Sequence, residues 1–434
     1  MKVVIAAAVL ALAAPGAAAG AGLSLAARDL HGAGPERFAR FDLVGLHWRG
    51  WGLLLFRTRS LSGRWSRWQS AGPEGDLPDR GTEGRAGWHL GRPFWVGGAD
   101  RLQVRKVGRV SRVRAFFVRS PGRSAPVLQP LMTETPTIVT RAEWGANEAI
   151  RRAPPRYADG VHFAIVHHTA GSNSYSASQS ASIVRAIELY HVEANGWNDI
   201  GYNFLVDKYG QIFEGRYGGM TRAVIGAHAQ GFNVGSVGIA LLGNYDDARP
   251  TAAARAALVS LLAWRLDLAH VDPLSKVVRV SDGNPRYPAG RKLTLNAISG
   301  HRDTGPTSCP GTNLYAELPA IRREVAQTGL PKLYAPRVSG ELGGQMRFRA
   351  TLSAEAAWTV TVKDQTGAVV AAGSGTGTGV DWTWNATSAP ADQQYSWVIA
   401  APDMRSAVGT IGQPLLRLVS PLRPWFWPLI QAKR

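Results

Sequence analysis

The 434-residue sequence contains a single cysteine, Cys309, and this excludes a disulfide bond within the chain. The roles that remain for it are a free thiol, an intermolecular link and a metal ligand. An exposed thiol outside a cell would be oxidised. The start of the chain resembles an export signal, so the metal-ligand role is favoured.

The apolar run at the start of the sequence is also poorly suited to span a membrane. The apolar stretch Val3–Ala13 is too short and too rich in alanine to cross a bilayer. Lys2 precedes this stretch and the small residues Ala17–Ala19 follow it, a pattern that predicts a signal peptide at residues 1–19. The expected location is therefore secreted or within the cell envelope, in the wall or periplasm. An uncleaved anchor is the alternative.

Acidic residues are scarce, since 31 Asp and Glu stand against 49 Lys and Arg, for a net charge of +18. The imbalance is strong in residues 26–125, which hold 19 basic and 8 acidic residues. A basic surface concentrates polyanions around a protein. For an exported chain the expected partners are anionic cell-wall polymers and not nucleic acid, with solubility alone as the alternative.

The length predicts several domains. Residues 25–120 carry short aromatic-rich runs between Gly, Pro and Asp clusters, which predicts a β-sandwich accessory domain without a catalytic constellation. Residues 121–135 are a predicted linker, and residues 136–330 a central α/β domain with a mixed sheet flanked by helices. Residues 336–412 alternate apolar and polar side chains, as in an immunoglobulin-like β-sandwich. The remaining residues, 413–434, form an aromatic and basic tail whose contact with a membrane stays open.

The central domain shows the clearest element pattern. Phe163–Val166 is a continuous apolar run, typical of a strand buried on both faces, and His167 follows at its carboxyl end, where ligand sites of α/β sheets gather. Downstream, the pattern predicts a helix ending at Gly196, a hairpin around residues 207–210, a buried strand at Val237–Leu242, a helix from Thr251 to about Ala269, a short strand at Leu295–Ile298 and a helix near Ala316–Thr328.

Three separated side chains have the chemistry of a zinc site. A catalytic zinc ion takes three nitrogen, sulfur or oxygen ligands from the protein and keeps one position for water. His167, His301 and Cys309 could supply these ligands. Gly and Pro surround His301 and Cys309, which favours a loop that curls around one ion. If only the spacing is considered, the alternative is that the three residues lie apart in the fold and share no metal site.

Eight short motifs follow one another in the central segment: TRAEWGA, VHHTAG, WNDIGYNFLVD, GQIFEGR, GAHA, SVGIALLGNY, GHRD and TSCPG. In type and order they resemble the zinc amidases that phage lysozyme-type amidases, bacterial autolysins and animal peptidoglycan recognition proteins share. The resemblance covers under half of the chain. It implies an exported, zinc-dependent N-acetylmuramoyl-L-alanine amidase, which cleaves the lactyl-L-alanine amide between N-acetylmuramic acid and the stem peptide of peptidoglycan.

The resemblance also implies roles for single residues. His167, His301 and Cys309 match the zinc ligands, and Tyr202 matches the tyrosine that points at the zinc water and the scissile carbonyl. Thr307 takes a catalytic position where the phage enzymes carry lysine and the recognition-protein branch carries threonine. Because Thr307 is neutral, the alternative function is a non-catalytic module that only binds peptidoglycan. A structural envelope protein with a relic central domain is a third hypothesis.

Further residues fall at positions that the resemblance assigns to the groove for muramyl group and stem peptide. These predicted substrate-binding residues are His168, Thr169, His191, His228, Asn233 and Arg216. Several have a structural alternative: a half-buried histidine for His191, a turn role for His228 and Asn233, and pairing with an internal acid for Arg216. Asp303 is expected to support His301 or Arg302 rather than to bind the metal.

Overall fold

The computed structural model describes residues 22–32, 34–73, 75–84, 87–122, 135–329 and 331–412. These residues fall into two compact units, of which the first ends at Gly329 and the second follows it. The predicted signal peptide, most of the predicted linker and the tail lie outside the described residues. Among the helices that the structure describes, none is both long and apolar enough to cross a membrane.

The N-terminal part of the first unit is a single antiparallel sheet with the order β1-β4-β2-β3. Two of its strands are so long and bent that Leu43 pairs with both Trp95 and Val118. The predicted strand content is confirmed, although the strands join in one curled sheet. The strands are β1 (Ser24–Leu30), β2 (Glu36–Ser60), β3 (Gln69–Ser70) and β4 (Phe94–Arg119).

The central part of the first unit is built on a six-stranded sheet with the order β12-β6-β9-β7-β8-β5. Only the β7–β8 pair within it is antiparallel, so the predicted mixed α/β sheet is confirmed. Its elements are β5 (Ile138–Val139), α1 (Arg141–Trp144), β6 (Phe163–His168), α2 (Ser180–Leu189), β7 (Phe204–Val206), β8 (Ile212–Glu214), β9 (Ser236–Leu241), α3 (Ala252–Asp267), β10 (Lys276–Val280), β11 (Lys292–Asn296), β12 (Ile298–Gly300) and α4 (Thr312–Gln327).

Local signals account for most of these elements. All six residues of β6 are buried, as its apolar run predicts. The Thr251 side chain accepts a hydrogen bond from the Ala254 amide and begins α3 as expected. Two differences stand out: α4 begins at Thr312, earlier than predicted, and the expected loop after α3 contains the β10–β11 hairpin. That hairpin lies at the surface and buries little, so no apolar run marks it in the sequence.

The N-terminal sheet packs directly on α2. Leu43, Trp95 and Phe116 share one buried cluster with Ile183 and Tyr190 of the central part. Each large apolar side chain that is buried at this contact stabilises the folded state by about 1.5–3 kcal/mol. The N-terminal sheet is thus held firmly beside the ends of the central strands.

Arg141, directly after the capping residue of α1, is a buried cation surrounded by acids. Its guanidinium lies 3.0 Å from Glu188 and 3.3 Å from Asp199, and all three side chains are at most 6% exposed. It also pairs with the half-exposed Glu148 at 2.7 Å. Burial disfavours the charged guanidinium, but the Asp199, Glu148 and Glu188 carboxylates outweigh this and raise the pKa of Arg141.

Replacing Arg141 with methionine should lower the free energy of unfolding by about 3–5 kcal/mol, because Glu188 and Asp199 would stay buried without their cation. Urea unfolding followed by circular dichroism measures the loss. Arg152→Met is the matched control, since its pair with Glu193 spans 3.6 Å and both side chains are 39–40% exposed. The free energy of unfolding of the control should fall by less than about 1 kcal/mol. Equal losses in both variants would contradict the role of Arg141 as the cation that stabilises two buried acids.

The second unit is also a β structure, built as a five-stranded antiparallel sheet. The long strand β14 pairs with β13, β15 and β16, and β17 pairs with β16. Alternate residues of β14, among them Phe348 and Val360, face a buried core. The predicted strand content is again confirmed. The strands are β13 (Leu333–Gly340), β14 (Gln345–Lys363), β15 (Val369–Asn385), β16 (Tyr395–Ala400) and β17 (Ala407–Ile411).

Candidate metal centre

Two neighbouring parallel strands deliver the two predicted histidine ligands. In the β12–β6 register Gly300 lies opposite Val166, so His301 emerges beside His167. The two imidazole centroids are 4.5 Å apart, and both residues are buried. The strand pairing therefore brings together side chains that are far apart in the sequence.

The loop after His301 curls back to the same point. The Arg302 amide donates to the Cys309 carbonyl at 2.8 Å, and the Cys309 amide donates to Thr307 Oγ1 at 3.1 Å. These bonds place Cys309 Sγ 3.7 Å from His167 Nδ1 in a buried position. The three predicted ligands thus meet at one place.

A fourth ligand-type side chain, Asp76, reaches the same place from the connection between β3 and β4. Its Oδ1 lies 2.6 Å from His167 Nδ1 and 2.9 Å from His301 Nδ1. One donor atom each from Asp76, His167, His301 and Cys309 lie within 4.8 Å of one another, and all four residues are buried. The expectation that residues 25–120 hold no part of a catalytic constellation is therefore wrong.

Asp76 was missed because only the packing of the N-terminal sheet on α2 carries it to the centre. One sequence signal does point to its surroundings. Of the 8 acidic residues in the basic stretch 26–125, Glu74, Asp76, Asp79 and Glu83 lie within ten consecutive positions. Such a cluster in a basic module indicates a segment with a separate role.

The chemistry of these four side chains fits a zinc ion. Burial, only partly opposed by Asp76, lowers the pKa of His167 to about 4, so its imidazole is neutral and able to bind a metal. His301 Nδ1 faces Asp76 Oδ1 at 2.9 Å without the geometry of a hydrogen bond. Two imidazoles, a thiol and a carboxylate form a donor set that zinc prefers.

Two further side chains surround the four. His228 Nδ1 lies 3.1 Å from His167 Nε2, and such a contact fixes the orientation and tautomer of a metal-binding imidazole. Burial is the main cause that lowers the pKa of His228 well below its ordinary value, so it is neutral and can accept the proton of His167 Nε2. The Tyr202 hydroxyl donates to Asp76 Oδ2 at 2.8 Å. Tyr202 is thus one hydrogen bond away from the carboxylate that contacts both histidines.

Two predicted substrate-binding residues, Arg216 and Asn233, contact acids of the N-terminal part; Arg216 lines a smaller cavity together with Asp79 and Glu83, and Asn233 is buried. The Arg216 guanidinium donates two hydrogen bonds to Glu83, each at 2.9 Å. Asn233 Nδ2 donates to Asp79 Oδ1 at 2.9 Å, while its Oδ1 accepts from the amides of residues 228 and 229. Both residues therefore hold an internal partner in this structure, as the alternative for Arg216 expects.

The other predicted groove residues make local contacts. His191 Nδ1 accepts from the Gly201 amide at 3.1 Å, and its ring lies 4.3 Å from that of Trp197. His168 Nδ1 accepts from a backbone amide at 3.2 Å, and Thr169 Oγ1 does the same at 3.0 Å. His191, His168 and Thr169 are all buried, so they shape the walls rather than line the open groove.

Within the described residues, the Asp303 side chain makes no hydrogen bond to the side chain of either predicted partner, His301 or Arg302. Its Oδ1 accepts from the Tyr315 hydroxyl at 2.6 Å, and its Oδ2 accepts from the Gly300 amide at 2.9 Å. Asp303 instead fixes the backbone turn that carries His301, which corrects the expectation.

An open cleft of about 790 Å³ leads to the centre. His301, Thr307 and Trp197 of the central part line one side, and Asp79 and Trp88 of the N-terminal part line the other. A space of this size is typical of a small-molecule or peptide site. The arrangement can hold a metal ion beside a hydroxyl donor at the base of a groove.

The central part of the chain is similar in sequence to known proteins. The profile of the N-acetylmuramoyl-L-alanine amidase family (Amidase_2) matches residues 157–312. Peptidoglycan-recognition protein SC2 of Drosophila simulans is 36% identical over 184 residues, which are 42% of this chain and 84% of that protein. Peptidoglycan recognition protein 1 of Bos taurus is 33% identical over 180 residues, 41% of this chain and 80% of that protein. Among solved structures, wild-type Drosophila PGRP-LB is 29% identical, with a TM-score of 0.33 and coverage of 42% of this chain and 92% of that one.

Proposed function

The chain belongs to the N-acetylmuramoyl-L-alanine amidase family that includes the peptidoglycan recognition proteins, and we propose that it is an exported, zinc-dependent amidase of peptidoglycan. The observation that carries the proposal is the meeting of His167, His301 and Cys309 in one buried cluster. The substrate bond is the amide between the lactyl group of N-acetylmuramic acid and L-alanine. The ligand follows from the relatives, whose names record peptidoglycan recognition.

The side chains divide the catalytic work. A zinc ion held by His167, His301 and Cys309 would supply a Lewis acid for the carbonyl and lower the pKa of a water toward about 7. The Tyr202 hydroxyl donates a hydrogen bond to the carbonyl oxygen as negative charge develops there, an interaction worth about 2.7–4 kcal/mol. His228 keeps the His167 ring oriented through their 3.1 Å contact.

The proposed role of Thr307 is to position Cys309. Its hydroxyl oxygen accepts the amide proton of Cys309 at 3.1 Å, which keeps the sulfur turned toward the histidines. A neutral hydroxyl cannot stabilise charge as a lysine would, so the oxyanion depends more strongly on Tyr202. Tyr202 is therefore the main hydrogen-bond donor that the protein offers to the oxyanion in the transition state.

The groove residues would position the substrate. Arg216 offers a bidentate fork that suits a carboxylate of the stem peptide. Asn233 offers an amide donor to the peptide backbone. His168, Thr169 and His191 would support the walls from their buried positions.

Zinc-loaded protein incubated with muramyl-peptide should release peptides with new L-alanine amino termini. A chelator should stop the release and added zinc should restore it, because removing the ion removes the Lewis acid. Muramic acid glycan without stem peptide is the control and should release none. Binding of zinc and muramyl-peptide without any release, in the full chain and in variants with an open groove, would instead identify a binding module.

A further inference from the structure

Ten residues of the N-terminal part, 75–84, lie across the proposed groove, and we call them the acidic loop. Glu83 pairs bidentately with Arg216, and both side chains are at most 8% exposed. Asp79 Oδ1 accepts from Asn233 Nδ2 and, at 2.7 Å, from the Gly231 amide. Two groove donors that the substrate would need are thus engaged by carboxylates of the same chain.

Asp76 of the acidic loop occupies the catalytic position itself. One carboxylate oxygen lies within 2.9 Å of a ring nitrogen of each histidine, and the other accepts from the Tyr202 hydroxyl. A substrate carbonyl needs the same two neighbours, the metal and the Tyr202 donor. The Asp76 carboxylate therefore blocks the place where the scissile bond would react.

We infer that Asp76 is a fourth protein ligand of the zinc ion and that the acidic loop keeps the enzyme latent until it leaves the groove. The inference rests on the proposed amidase function. Zinc sites with four protein ligands are closed and structural, whereas catalytic sites keep one position open. Departure of the loop opens that position and removes the loop's hydrogen bonds to Tyr202, Asn233 and Arg216 in a single step.

The contacts of the acidic loop suit such a release. The side-chain bonds of Asp76, Asp79 and Glu83 described above go to the central domain, so a substrate with carboxylates of its own competes for the same donors. The loop tip, Arg80–Thr82, is exposed to solvent. The measured hydrolysis rate should then be the intrinsic rate multiplied by the fraction of molecules with an open loop.

Cobalt(II) in place of zinc gives a readout that does not depend on hydrolysis. With Asp76 as a ligand, azide should alter the visible cobalt spectrum of the full chain only weakly, because no position is open. In Asp76→Ala the same change should need about tenfold less azide. Asp100→Ala is the control, since Asp100 is an acid of the N-terminal sheet that pairs with Arg59 and not with the metal centre. Equal azide affinity in the full chain and in Asp76→Ala would overturn the fourth-ligand assignment.

Hydrolysis tests the latent state with a variant that leaves all four metal-binding side chains in place. Glu83→Ala removes a charged hydrogen-bonded pair, and kcat/KM on muramyl-peptide should rise about 10- to 100-fold over the full chain, measured with one zinc ion bound to each protein. Unchanged kcat/KM, with hydrolysis measurable in both proteins, would overturn the latent state and leave the amidase proposal standing. A third outcome is that azide binds the cobalt-loaded Asp76→Ala variant more tightly than the full chain, while no variant hydrolyses muramyl-peptide. That result would support the closed metal site and overturn the amidase proposal.

Discussion

Replacing Cys309 with alanine is expected to lower amidase activity by about 10³-fold or more, since the Lewis acid is worth several kcal/mol in the transition state. The variant keeps His167 and His301 but loses the sulfur that lies 3.7 Å from His167 Nδ1. Release of L-alanine amino termini from muramyl-peptide measures the effect. The Glu83→Ala background is the appropriate one, because its groove is expected to be open.

Ser308→Ala is the control for this substitution. Ser308 is the preceding residue, and its side chain is exposed. Its removal should change the rate less than about threefold, in line with the small effects of surface substitutions. If Cys309→Ala hydrolysed muramyl-peptide as fast as Ser308→Ala, the thiolate would have no part in the reaction.

Replacing Tyr202 with phenylalanine is expected to lower kcat by about 10²- to 10³-fold, the usual loss when one oxyanion donor is removed. The hydroxyl acts on charge that appears only in the transition state, so KM should change little. The substitution also removes a bond to Asp76, and this effect alone would loosen the acidic loop. In the Glu83→Ala background the acidic loop is already expected to be open. The substitution of Tyr202 then reports only the lost hydrogen bond to the oxyanion and not an easier entry of substrate.

The control for Tyr202→Phe is Tyr157→Phe, which removes an exposed hydroxyl that donates to the Gly218 carbonyl. This variant should keep full activity. Zinc content should be the same in both proteins, because neither tyrosine supplies a metal ligand. A drop in KM alone, or loss of zinc from Tyr202→Phe, would give Tyr202 a different role from the one proposed.

The central sheet and its candidate ligands could be predicted from sequence for physical reasons. Phe163–Val166 is apolar throughout because β6 is buried on both faces, and the order of the motifs matches a known family. His167 and His301 follow strand ends, and in a parallel pairing those ends meet at one edge of the sheet. Cys309 lies in a Gly- and Pro-rich loop that can turn back to that edge.

The closed state of the site could not be predicted in this way. Asp76 reaches the metal centre through tertiary packing, in which Leu43 and Trp95 of the N-terminal sheet bury against α2. No local pattern encodes that contact. The partners of Arg216 and Asn233 were uncertain for the same reason, since Glu83 and Asp79 lie more than a hundred positions away in the sequence.

Zinc content of the full chain beside Cys309→Ala tests the central claim most directly. After metal-free preparation, loading with zinc and removal of unbound ion, mass spectrometry of the metal should find about one zinc for each full chain, as a site with these ligands requires. With Asp76→Ala added to both proteins, Cys309→Ala should retain far less zinc than its Cys309 parent, because only His167 and His301 remain as ligands. Equal zinc in the two proteins would show that the sulfur does not bind the ion, and the account of a zinc amidase built on His167, His301 and Cys309 would fail.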